Sequence, residues 1–265
     1  MIDIPVNAEQ GEKLGNLVRT MLGAMGLTRD LPGDSQGIWR LYRELAIAMP
    51  VDAIPEGFDR AQKRVLKSII SSADVTDVSK LDAEVRCGSG ALYLARGDAA
   101  LFRASGIVNP TTSDLHGHLP PDLDCPNNSI HALGGVSLRA DLHELIQRYG
   151  DFGGIVMTMA GCLRSSYVFH VAVPDMANAT PKAMGEIYGK VFELANLHDV
   201  KQLVLPLVAI SEDGECVGEN ARIAVRAARD WLVSGDGVPR EIVLVAHSER
   251  GAIAYKDALR ETREH

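Results

Sequence analysis

The sequence predicts a three-layer α/β/α sandwich around a mixed, largely parallel sheet, with a helical segment ahead of it. Three observations carry this. From about Val85, short apolar runs alternate with amphipathic stretches of helical period. The runs are apolar throughout rather than at every second residue, which is the texture of strands covered on both faces. Before Val85 the apolar residues recur only at helical spacing.

The elements follow in order. Leu14, Leu17, Val18, Met21, Leu22 and Met25 mark a first helix, and Ile38, Leu41, Tyr42, Leu45 and Met49 a second. Pro50, Pro55 and Gly57 interrupt the pattern, and Phe58, Ala61, Val65, Leu66 and Ile69 resume it. These residues form an extension over 1–84, packed on a core domain over 85–265. In the core domain the strands are read at 91–95, 106–109, 167–173, 202–210 and 241–246. Helices are read between them at 129–150, 181–200 and 218–235. Ligands of such sheets sit beyond the carboxyl ends of the strands. The loops after Ala95, Asn109 and Ile210 are therefore the places to look.

Composition narrows the function. The chain has 265 residues, 46% of them hydrophobic, ample for a core. A formal net charge of −8 and the lack of a basic stripe exclude a nucleic-acid surface. No run reaches the roughly 20 apolar residues of a membrane span. The first residues lack the basic and apolar regions of a secretory signal. The expectation is a soluble cytoplasmic protein whose four scattered cysteines are reduced thiols.

Each candidate loop has two readings. Asp98, in Arg96-Gly97-Asp98 after the first long strand, suits a nucleotide amine or ribose hydroxyl, and equally suits a helix N-cap. Asn109 suits a ribose, and equally an Asx turn before Pro110. A turn running from Ser211 to Gly218 leads into a helix and suits a phosphate, but Glu212, Asp213 and Glu215 oppose one. The loop from Asp114 to Cys125 offers His116, His118, Asp122, Asp124 and Cys125 as zinc ligands, without a standard zinc-finger spacing. His170, inside a strand, reads as a core histidine. Ala246 and Arg250 stand where a nucleophile elbow needs glycine, which removes Ser248 as a nucleophile.

Taken together, Gly97-Asp98, the strand-loop 107–113, the loop 117–131 and Leu133–Arg139 resemble, in order, the motifs of the macrodomain family. The likeness is to its zinc-containing, sirtuin-linked microbial branch, whose helical extension the segment 38–50 also resembles. The resemblance implies an ADP-ribose cleft. Asp98 would meet the adenine amine and Asn109 the distal ribose, with Ala99, Ser113, Ser211, Gly214 and Val217 as further ligand-binding residues. Members of the branch remove ADP-ribose from modified proteins, which implies catalytic roles for Asn109 and Thr112. Zinc would be held by His118 and Cys125, with His116 as a further ligand. The chain also departs from the pattern. Thr112 replaces a second asparagine, Leu123 replaces a metal ligand, and residues 209–214 lack one glycine and the stacking aromatic. The alternative is a module that binds ADP-ribose, or another nucleotide derivative, without turning it over.

Overall fold

The structure, a computed structural model, describes residues 4–115, 117, 120–150, 153–174, 180–208, 216–235 and 237–262. The chain begins with three helices: α1 (Ala8–Ala24), α2 (Ser35–Ala48) and α3 (Phe58–Ser72). Local chemistry sets their starts. Asn7 and Gln10 form a reciprocal capping box on α1, and Asp34 caps α2 through Gly37 N. Strands β1 (Thr76–Asp77), β2 (Val85–Cys87), β3 (Gly90–Arg96), β4 (Phe102–Arg103) and β5 (Gly106–Thr111) follow. Then come α4 (Pro126–Gly134), α5 (Val136–Tyr149), β6 (Ile155–Met159), β7 (Tyr167–Ala172) and α6 (Pro181–Leu197). The chain closes with β8 (Gln202–Pro206), α7 (Val217–Ser234), β9 (Glu241–Ala246) and α8 (Glu249–Glu261).

Seven strands form one sheet in the order β2-β3-β9-β8-β5-β7-β6. The five inner strands are mutually parallel, and both edges are antiparallel. β1 and β4 make a separate parallel pair. The fold is thus the predicted sandwich, and the side chains explain its two cores. Tyr93, Ile107, Val204 and Val243 face α1–α4, whereas Leu92, Val108, Leu203, Leu205 and Leu244 face α6, α7 and α8. Successive residues point to opposite faces, so an unbroken apolar strand feeds both layers.

Three readings need correction. The helix expected over 129–150 is two, because Gly135 adopts φ 87°. A Cβ there would also sit 2.9 Å from Gln62 Oε1 of α3. The strand β6 went unread because Gly153 and Gly154 precede it and Met159 is exposed, so it lacks the texture of a buried run. Helix α8, which the apolar pattern does not mark, starts at the would-be nucleophile elbow, where Ser248 is its N-cap and accepts from Gly251 N.

The extension shares its core with the sheet. Tyr42 and Trp39 stack with ring centroids 5.5 Å apart, and both are fully buried in the cluster that holds Ile130, Leu133 and Val136. Tyr42 Oη donates to Ala132 O at 3.0 Å and accepts from Gln62 Nε2 at 2.8 Å. Gln62 Oε1 in turn accepts from Val136 N at 2.8 Å, satisfying a donor at the start of α5. No helix among the described residues is long and apolar enough to cross a membrane.

Candidate functional site

Because β3, β9, β8, β5 and β7 are parallel, their carboxyl ends, from Arg96 to Ala172, lie along one rim. The loops that follow them share that rim. Asp98 leaves β3 there, is 5% exposed, and uses both oxygens. Its Oδ1 accepts from Ala100 N at 3.0 Å, capping a short 3-10 turn, and its Oδ2 accepts from Ser129 Oγ on α4. Both sequence readings of Asp98 thus remain open: the cap is present, and a carboxylate with about four acceptor sites keeps two to spare. The cavity beside Asp98 is about 290 Å³ and is lined by Arg96, Gly97, Thr76 and Phe102. Ala99 is buried.

The loop after β5 folds on itself. Thr112 Oγ1 donates to Asp114 Oδ1 at 2.5 Å and accepts from Gly117 N at 2.9 Å, so its hydroxyl shapes the loop. Leu115 takes the left-handed region at φ 64°, held there by burial against Leu142 and Val156. Gly117 has φ 67°, and a Cβ would lie 3.0 Å from both Thr111 Oγ1 and Asn127 Oδ1. Only glycine lets the backbone come so close. Ser113 is exposed, and Asn128 Nδ2 anchors the loop by donating to Pro120 O and Leu123 O.

Beneath the loop lies a buried polar network that sequence reasoning missed. Asn109 is fully buried, and its Nδ2 lies 3.0 Å from His170 Nδ1 and 3.3 Å from both His131 Nε2 and Asn127 Oδ1. Two amide protons serve three neighbours, while Oδ1 has no hydrogen-bond partner among the described residues. An amide N–H can only donate, so His170 Nδ1 accepts and its Nε2–H donates to Thr158 Oγ1, 2.9 Å away. The histidine reading of the sequence holds: His170 is a core residue. The signal for the rest was available in Asn127 and His131, which fall four residues apart on one face of α4.

Burial holds His170 neutral, with its pKa lowered to about 3. An unfolded histidine takes a proton below about pH 6.5, and the native site refuses it. Stability is therefore full above pH 6.5 and falls as pH drops toward 3, by at most ~1.4 kcal/mol per unit from this group. We expect a loss of about 2 kcal/mol between pH 7 and pH 5, and His170→Gln should flatten that slope in denaturant titrations.

Across the rim, His247 Nε2 lies 3.0 Å from Asp124 Oδ1, joining the loop after β9 to the residue before Cys125. Burial works against the Asp124 charge, but hydrogen bonds, one to His247, outweigh it and lower its pKa. Cys125 is buried at the start of α4, and burial pushes its thiol up. Among the expected zinc ligands, His116 and His118 lie outside the described residues. Leu123 offers no side-chain donor atom, and Asp124 is taken by His247. No three His, Cys, Asp or Glu side chains among the described residues converge as metal ligands. Ser211 and Gly214 also lie outside the described residues; Val217, at the start of α7, is buried.

Residues 108–214, the stretch from β5 through the rim loops, match the Macro domain family model. This chain has the macrodomain fold. The chain is 24% identical over 237 residues to a protein-ADP-ribose hydrolase of Staphylococcus aureus (strain Mu50 / ATCC 700699), covering 86% of this chain and 87% of that one. A protein-ADP-ribose hydrolase of Treponema medium is 25% identical over 232 residues, covering 85% and 88%. Two solved structures share the fold. The Trypanosoma brucei macrodomain in complex with ADP has a TM-score of 0.60 at 16% identity, covering 93% of this chain and 96% of that chain. The Oceanobacillus iheyensis macrodomain with ADP has a TM-score of 0.60 at 20% identity, covering 68% and 95%.

Proposed function

We propose that the macrodomain handles ADP-ribose, free or attached to protein, as a hydrolase of protein-linked ADP-ribose. The observation that carries this is the joining of Asp98, Ser129, Asn127 and Gly117 along one rim, in a chain aligned with ADP-ribose hydrolases over most of its length. In this reading Asp98 accepts from the adenine amine with its spare lone pairs. The cavity beside it takes the base. The distal ribose lies over the Thr112–Gly117 turn, and the Asn109 network fixes that turn from below. Hydrolysis needs a water aimed at the anomeric carbon, and a turn locked by Leu115, Gly117 and Asn127 supplies a fixed wall for it.

Zinc belongs to the proposal through Cys125, His118 and His116; elemental analysis should then find about one equivalent, lost in Cys125→Ser. A cytoplasmic setting is proposed with it, supported by four free cysteines. The second reading, binding without turnover, is favoured by one observation: the Thr112 hydroxyl is spent on Asp114 and Gly117.

Calorimetric titration with ADP-ribose, run beside an assay of ADP-ribose release from a modified protein, separates the two. Binding with release supports the hydrolase, binding alone the reader, and neither overturns both. Asp98→Asn keeps an acceptor for Ala100 N but removes the charge. It should weaken ADP-ribose about tenfold, the worth of one charged hydrogen bond, with little change in Tm. Unchanged affinity would remove Asp98 from the site.

A further inference from the structure

A second cavity, of about 370 Å³, lies away from the rim, at the seam between the extension and helices α4 and α5. Its cationic wall is Arg139. The Nη1 of Arg139 donates to Ala46 O at 2.7 Å and Met49 O at 2.9 Å, the carbonyls at the end of α2. That leaves Nε and Nη2, three of its five N–H donors, without a hydrogen bond among the described residues. Burial pulls the pKa of this guanidinium down from the ordinary value, although it stays charged. A half-buried guanidinium that lines a cavity and keeps donors to spare has the chemistry to receive an oxyanion.

The rest of the lining says which one. Val51 and Leu142 make the cavity apolar on two sides, so the occupant carries a hydrocarbon part. His131 and His143 line the same cavity as further polar groups. Asp52, exposed, also lines the cavity and penalises a multiply charged anion such as a nucleotide diphosphate. The volume suits a molecule of a few to a dozen heavy atoms. We propose that this seam cavity is a binding site for a small monocarboxylate with an apolar body, held bidentately by Arg139 and enclosed by Val51 and Leu142. The site is coupled to the rim by position: His131 forms its wall, and the same ring approaches Asn109 at 3.3 Å and stacks on His170 with centroids 5.6 Å apart.

The test follows the imidazole signals of the full chain by NMR during titration with sodium butyrate, against sodium chloride at equal ionic strength. The rings of His131 and His143 should shift together and saturate with a Kd on the order of 1 mM, as a ligand this small allows. The exposed His198 should not move. Arg139→Lys keeps the charge but loses the fork, and should weaken butyrate about tenfold. Because that change also touches the clamp on α2, Val51→Phe provides a second variant that fills the cavity and leaves Arg139 alone; it should abolish the response. Absence of saturable shifts at these two rings overturns the proposal, as does a response that survives Val51→Phe. An equal response to butylammonium would reduce the site to an apolar hole. Tighter binding of inorganic phosphate than of butyrate would overturn the carboxylate assignment.

Discussion

A chain lacking residues 1–84 is expected not to fold. The extension looks removable in the sequence, since it precedes every strand of the large sheet, but its side chains complete one of the two cores. Ile130, Leu133, Val136 and Leu138 share a cluster with Trp39, Tyr42, Leu66 and Ile69. Full burial of an aliphatic side chain is worth about 1.5–3 kcal/mol, so exposing those four alone removes about 6–12 kcal/mol. That is the whole stability of a typical domain. The polar seam fails with it: Ala132 O loses Tyr42, Val136 N loses Gln62, and Arg139 loses both carbonyl partners. Expression of 85–265 should give aggregate, or a species without a cooperative melting transition. A monodisperse fragment that unfolds in one sharp step would contradict the shared core.

The second large effect is expected at Asn109. Asn109→Ala removes the donor shared by His170 Nδ1 and Asn127 Oδ1 at a fully buried position. A buried acceptor left without a donor costs about 1–3 kcal/mol, so the pair should cost about 2–4 kcal/mol. In a chain of this size that lowers Tm by about 5–15 °C. The damage should extend to ligand binding, because Asn127 also donates to Gly117 O at 3.5 Å and its side chain packs against the Gly117 backbone. ADP-ribose affinity measured well below the new Tm should therefore fall even though the protein remains folded. A Tm within 2 °C of the parent chain would mean that the network bears no load.

These two expectations differ in how far the sequence foretold them. The helices of the extension were legible from spacing, yet nothing in residues 14–69 says which surface they cover. Asn109 was legible as the end of a strand beside Pro110. In the structure β5 continues through Thr111, and that extra length points the amide inward, toward α4 and β7, rather than into a turn. Asp98 leaves a strand end at the rim, and both uses read from it, the cap and a ligand contact, are compatible with its two oxygens.

What the sequence determined by itself was the layered architecture: period, apolar runs and caps are local properties, and each strand carries both faces of the sheet within a few residues. The motif order along the chain pointed to the macrodomain fold as well. Only the tertiary structure decided that Asn109, Asn127, His131 and His170 form one network, that His247 meets Asp124, and that Arg139 faces a cavity at the seam. Those contacts join residues up to 123 positions apart. Such pairing depends on where a parallel sheet brings its strand ends together, and no local spacing records it.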